Sequence, residues 1–162
     1  QQFHTINLSH LKDLIDDFAY DGQWKPFFES IALAYRENSS VRDAMEGERN
    51  LQGFLKAYLA LASYYLVEPE LEMNYGYCDF FLLPDKKRYP DIGHSYILEL
   101  KYAGRTTTDT ELETQAEEGR RQLLQYSKDK IALQLAKDTT LHLILLQFRG
   151  WDLVKCEEIV SC

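Results

Sequence analysis

Apolar positions in the first third of the chain recur at helical spacing. In N-L-S-H-L-K-D-L-I-D-D-F, the residues Leu8, Leu11, Leu14, Ile15 and Phe18 share one stripe, which predicts an amphipathic helix. After a break at Gly22, W-K-P-F-F-E-S-I-A-L-A-Y predicts a second helix, with Pro26 early enough to sit in its first turn. The segment N-S-S-V-R-D-A-M-E-G reads as a link or a short helix. A third helix is expected from about Glu48 to Tyr65, its stripe running through Leu51, Phe54, Leu55, Tyr58, Leu61, Ala62 and Tyr65.

Beyond that point the period changes from helical to alternating. L-V-E-P-E-L-E-M, Y-C-D-F-F-L-L and H-S-Y-I-L-E-L-K-Y read as three strands, the first two joined by a turn at Asn74–Gly76. A polar stretch leads into a long helix expected from about Leu112 to Ala136. The chain then closes with a buried strand, L-H-L-I-L-L-Q-F, and a last short strand, V-K-C-E-E-I-V. Helices, a strand meander, a helix and two more strands predict an α/β fold with a central mixed sheet flanked by helices.

The remaining bulk properties narrow the function only a little. At 162 residues the chain is long enough for one domain with a real core. Its apolar runs fall well short of the ~20 residues that span a bilayer, so no membrane association is expected. It begins with Gln1 rather than Met, as a piece of a longer protein would. Cys78, Cys156 and Cys162 are odd in number and form no C-x-x-C pair, which reads as reduced thiols in a cytoplasmic protein. His4, His10, His94 and His142 show no ligand spacing, and His94 reads as a loop bystander. The net charge of −8 argues against a general nucleic-acid coat. It is uneven, however: residues 1–78 carry 6 basic and 12 acidic side chains, and residues 79–162 carry 12 and 14.

The chemistry concentrates in the strand meander. Opposing Leu83 to Ser95 in a hairpin sets Asp79 opposite Glu99, and cross-strand neighbours have Cβ atoms about 4.5–5.5 Å apart. Alternation puts Glu99 and Lys101 on one face, with Tyr96, Leu98, Leu100 and Tyr102 on the other. Asp91, in the literal P-D dipeptide, falls in the connecting loop and cannot stand beside Glu99. Two facing carboxylates repel unless a cation or a proton neutralises them, and hard divalent ions favour such oxygen donors. An isolated E-x-K in a strand is more often a solvated ion pair; the neighbouring residues change that balance. Glu48 extends the apolar stripe of the third helix and would approach the sheet, although a first-turn acid favoured by the helix dipole explains it as well. Gln122 and Tyr126 are four apart and share a helix face. Arg120 and Arg121 read as solvated arginines with some capacity for phosphate.

G-Y-C-D (76–79), I-L-E-L-K-Y (97–102) and Q-L-L-Q-Y (122–126) together resemble the PD-(D/E)XK nuclease superfamily, in the RecB-like variant with a Q-x-x-x-Y helix. More narrowly, the chain is similar to the nuclease-like domain that follows an AAA-type ATPase-like domain in many bacterial proteins. Glu70, Glu72, Gly76, Asp79, Glu99, Lys101, Tyr102, Gln122, Tyr126, Phe148 and Gly150 match that pattern, while Tyr77 stands where arginine is usual. The resemblance covers roughly residues 45–155. It implies a restriction-endonuclease-like core at 45–162, with residues 1–44 as an N-terminal helical segment packing on it. It further implies Mg²⁺-dependent (or Mn²⁺-dependent) hydrolysis of phosphodiesters in nucleic acid, with DNA as the expected substrate and an upstream ATPase-like domain as partner. Asp79 and Glu99 would hold the metal, with the Leu100 carbonyl and Glu48; Lys101 would act on the attacking water; Gln122 and Tyr126 would position substrate. Two alternatives stay open: a catalytically inactive interaction domain, and a magnesium-dependent enzyme acting on a small phosphate.

Overall fold

The computed structural model describes residues 8–38, 47–74 and 76–160. Its elements, in chain order, are α1 (Leu8–Tyr20), α2 (Trp24–Glu37), α3 (Glu48–Leu59), β1 (Tyr65–Met73), β2 (Gly76–Pro84), β3 (His94–Ala103), α4 (Asp109–Tyr126), α5 (Lys130–Leu135), β4 (Thr140–Arg149) and β5 (Asp152–Glu158). The strands form one five-stranded mixed sheet in the order β1-β2-β3-β4-β5. Every neighbouring pair is antiparallel except β3–β4. That parallel pair forms the buried centre, as expected for strands covered on both faces. The predicted alternation in the sheet is observed: Tyr96, Leu98, Leu100 and Tyr102 pack on the face that carries α1, α2 and α3. Ile97 and Leu145 pack on the opposite face with α4 and α5.

Three helix boundaries differ from expectation. The third helix stops at Leu59, because its buried stripe ends with Leu51, Leu55 and Leu59; Leu61 is half exposed, and Tyr65 already belongs to β1. There the Tyr65 hydroxyl donates to the His94 carbonyl, 2.9 Å away. The expected helix from Leu112 to Ala136 is two helices. Buried Asp129 adopts an extended conformation and its carboxylate accepts from the Ile131 and Ala132 amides, capping α5 and interrupting the run. The same helix begins earlier than expected: Thr108 and Glu111 form a reciprocal capping box that starts α4 at Asp109. Most of the link after α2 lies outside the described residues.

At the end of the sheet where β3 begins, three polar side chains clasp separate elements together. His94 Nδ1 and His142 Nε2 are 2.8 Å apart, and His142 Nδ1 meets Glu158 Oε1 at 2.5 Å. His94 also bonds the Tyr20 backbone at the end of α1. Its ring covers Gly22, where a Cβ would lie 2.8 Å from it and φ is +68°. His94 is therefore a structural contact and not a bystander. Burial, and then the neighbouring His142, hold the His94 imidazole below its ordinary value of 6.5. A histidine depressed on folding disfavours the native state once protonated. Stability is thus present above pH 6.5 and is lost as pH falls through the folded value. Thermal melts between pH about 7.5 and about 5 should show this loss as a difference between wild type and His94→Gln that shrinks on acidification; a difference that does not change with pH would reject the assignment.

Candidate active site

A local fault in the sheet makes the site. The β1–β2 ladder pairs Pro69 with Phe80 and Leu71 with Cys78, leaving Glu70 and Asp79 opposite one another in a gap. Glu70 adopts φ +51°, a left-handed conformation that costs a non-glycine residue about 1 kcal/mol. Both strands change face at this point. Tyr65 and Val67 pack with the α1–α3 side of the sheet, whereas Leu71 and Met73, at the same parity, pack on the α4–α5 side. Phe80 and Cys78 divide in the same way on β2. Because strand faces alternate with period two, such a switch requires an irregular residue, and on β2 that residue is Asp79.

The β2–β3 pairs run Leu82↔Tyr96, Phe81↔Ile97 and Phe80↔Leu98, the register expected from the sequence. Asp79 is next in line opposite Glu99, but the main-chain ladder ends there. Asp79 Oδ2 instead accepts from the Leu100 amide at 2.7 Å. The carboxylate stands where a strand carbonyl would, between β2 and β3. The N–H and C=O of one strand residue point to the same side, so the Leu100 carbonyl also faces this gap.

Glu99 is only 4% exposed. Lys101 Nζ lies 3.6 Å from its Oε1, on the shared face that alternation predicted, while Glu99 Oε2 is buried with no hydrogen-bond partner. Gln122 Oε1, on α4, is likewise buried and unpartnered. Burial, then the charge of Asp79, push the Glu99 carboxyl up to about 8, against the opposing pull of Lys101. Asp79 is raised as well, first by burial, with Glu48 and Glu70 adding to it and the Leu100 amide and Lys101 opposing it. Burial and then Glu99 raise Tyr126 above its ordinary range, and the same two causes push the Cys78 thiol up to about 12. Tyr126 and Cys78 thus lie within the field of the two carboxyls.

Helix α4 reaches this site by close approach and polar anchoring. A Cβ at Gly119 would lie 2.7 Å from Leu145 Cδ1 and 3.4 Å from Lys101 Cε, so any larger residue would have to displace Leu145 where the helix settles over Lys101. Buried Gln147 donates to the Leu112 carbonyl and to Gln115 Oε1, and Gln115 donates to the Tyr102 carbonyl. These residues position α4, yet the sequence reading overlooked them; a glycine one helical turn before Gln122 was the available signal for the close approach.

Three expectations need correction or placement. Glu48 is exposed at the start of α3 and not on the buried line of that helix, though its charge reaches Asp79. Arg120 is no solvated arginine: it binds Glu157, Glu113 and Glu117. Asp91 sits in an exposed turn away from the pair, as expected. Among the described residues, no three or more His, Cys, Asp or Glu side chains converge as a ligand sphere. Asp79 and Glu99 nevertheless fit a hard divalent ion, because they are carboxylate donors and one buried oxygen lacks any partner.

Residues 46–158 match the PD-(D/E)XK nuclease superfamily. The chain belongs to that superfamily. No curated protein and no solved structure matches it. The five-stranded mixed sheet, flanked by helices and preceded by α1 and α2, is the restriction-endonuclease-like fold that membership implies. Membership in the PD-(D/E)XK superfamily also carries nuclease-type phosphodiester hydrolysis as its chemistry and divalent metals as its usual cofactors. Among the described residues, no helix is long and apolar enough to cross a membrane.

The raised Glu99 carboxyl has a measurable consequence. A carboxyl whose folded value exceeds its ordinary value of 4.5 favours the native state only while protonated. In chelator, the Glu99 contribution to stability, read as the difference between wild type and Glu99→Gln, should therefore fall as pH rises from 4.5 and level off above about 8, opposite in sign to that of His94. Glu99→Gln should remove that contribution and gain on the order of a few kcal/mol at alkaline pH. Denaturant unfolding at several pH values measures this, and parallel pH profiles for both proteins would contradict the buried, charge-coupled placement of Glu99.

Proposed function

We propose that this protein is a metal-dependent nuclease of the PD-(D/E)XK type, with DNA as substrate and Asp79, Glu99 and Lys101 as its catalytic residues. The observation that carries the reading is the assembly, at a break between β2 and β3, of two buried carboxyls beside one lysine. Asp79, Glu99 and the Leu100 carbonyl would hold Mg²⁺ or Mn²⁺, with Glu48 joining directly or through water. The ion would neutralise charge developing on the phosphate and acidify water.

The chain's own groups supply the rest. The Lys101 ammonium, kept within 3.6 Å of Glu99, orients the attacking water by donating to its oxygen and through its charge favours the hydroxide form. A bond forms from the water oxygen to phosphorus, the phosphorus–oxygen bond to the departing nucleoside breaks, and the water proton ends on that departing oxygen. The unpartnered Gln122 amide oxygen orients substrate or water by accepting a hydrogen bond, and Tyr126 closes the same side. The RecB-like Q-x-x-x-Y helix favours DNA, and the narrower resemblance points to an upstream ATPase-like domain as partner. The competing reading is a non-catalytic interaction domain, favoured by the net charge of −8 and by the acids Glu48 and Glu70 crowding Asp79.

Plasmid and single-stranded DNA incubated with Mg²⁺ or Mn²⁺ separate these readings. Wild type should cleave, and Lys101→Ala should lose at least about 10²-fold in rate. Manganese at about 100 times its dissociation constant should stabilise the fold by about 2.7 kcal/mol, and Asp79→Asn should abolish that gain. Wild type and Lys101→Ala equally inert, with no manganese-induced rise in melting temperature, would sink the enzymatic reading.

A further inference from the structure

Beside Asp79 lies a groove of about 280 Å³ between α3 and the β1–β2 hairpin. One wall is a single stripe of α3, Arg49, Gln52, Gly53 and Lys56, at the i, i+3, i+4, i+7 spacing of one helix face. The other wall includes Glu70 and Asp79. We propose that this groove holds the phosphodiester backbone of a single nucleic-acid strand, with Arg49 and Lys56 on its phosphates, next to the bond presented to Asp79. The proposal rests on the nuclease reading above and adds the route by which substrate reaches the site.

Three features support it. Arg49 and Lys56 are exposed, and neither has an ion-pair partner among the described residues. By contrast, Arg120 and Lys155 are committed to Glu113, Glu117 and Glu157. Gly53 has no packing reason to be glycine: a Cβ there would meet nothing within 4 Å. Glycine is poorly suited to a helix interior, and here it leaves the groove floor open for a strand to approach the helix backbone. The opposed charges suit a phosphodiester with its counter-cation, since the basic wall takes phosphate oxygens and the acidic wall takes the cation. A groove one helix stripe wide admits one backbone and not a duplex, as in channels that bind single strands without sequence preference.

A second stripe of similar composition provides the control. Arg121, Leu124 and Gln125 of α4, with Lys128 in the turn after it, line their own groove, which includes none of the three proposed catalytic residues. Binding is measured by fluorescence anisotropy with labelled oligothymidine and oligouridine strands in Mg²⁺, on the Lys101→Ala background to prevent cleavage. The double variant Arg49→Ala/Lys56→Ala should weaken binding about tenfold or more. It should also reduce the slope of log affinity against log salt by about 0.7 per lost phosphate contact. Gly53→Phe should block binding while the melting temperature holds, and Gly53→Ala should raise the melting temperature. The relative affinities of the two strands assign DNA or RNA.

Unchanged affinity and salt slope in folded Arg49/Lys56 and Gly53→Phe variants would overturn the proposal. So would an equal loss on removing Arg121 and Lys128, tighter binding of a duplex, or no binding of either strand by the parent protein. Groove-dependent binding without cleavage by the Lys101-containing protein would instead refute catalysis alone. Cleavage that ignores the groove variants would refute the groove alone.

Discussion

The hydrogen bond from the Leu100 amide to the Asp79 carboxylate organises this molecule. A side chain replaces a main-chain acceptor in the sheet, so β2 and β3 stay attached while their ladder ends. The space left between them receives the Asp79 carboxyl, is faced by the Leu100 carbonyl, and has Glu99 beside it on β3. An uninterrupted ladder would have closed that space with backbone hydrogen bonds. The left-handed Glu70 on the neighbouring strand completes the arrangement, because the hairpin changes face at both positions together. Strain of this kind persists only where surrounding structure enforces it, and it gathers at functional positions.

Electrostatics follow from that geometry. Glu99 interrupts the buried apolar run from Tyr96 to Leu100 in β3, so its charge is costly there. Lys101 offsets part of the cost, but Asp79, Glu48 and Glu70 add negative potential around one ammonium group. The site is left with excess acid and an unpartnered buried oxygen, and a cation or a proton relieves both. On the face that carries Glu99 and Lys101, Gln147 and Gln115 tie α4 to the central strands, and Gly119 lets it descend onto Lys101. Gln122 and Tyr126 are thereby carried by a rigid helix and not by a loop, which suits groups proposed to orient a substrate.

The register that sets Asp79 opposite Glu99 was legible because one face of a strand must be apolar, and a one-residue slip would have buried Lys101 among leucines. Asp91 was separable from the pair because it falls in the loop between the two strands, where it occupies an exposed turn. Longer-range features left no such trace. The clasp joins His94 to His142 across 48 residues, and nothing local marks either imidazole as a partner. Arg120 looked solvated because its acids lie on another turn of its helix and on β5. The break between α4 and α5 depends on buried Asp129 capping a second helix, although apolar spacing alone continues smoothly through it. Glu48 was misplaced because a stripe extended by counting does not say where the sheet beneath the helix ends.

By itself, the sequence determined the order and type of the elements apart from the α4–α5 break, the faces of the central strands, and the Asp79, Glu99, Lys101 combination with its resemblance to PD-(D/E)XK nucleases. These are consequences of side-chain periodicity, which is a local property. Only the tertiary structure decided that Asp79 leaves the strand ladder to bond Leu100, that Glu70 lies across from it in a left-handed conformation, and that a glycine brings α4 onto Lys101. Those features arise where separate elements meet and compete for the same backbone groups and the same space, and one-dimensional spacing holds no record of that competition.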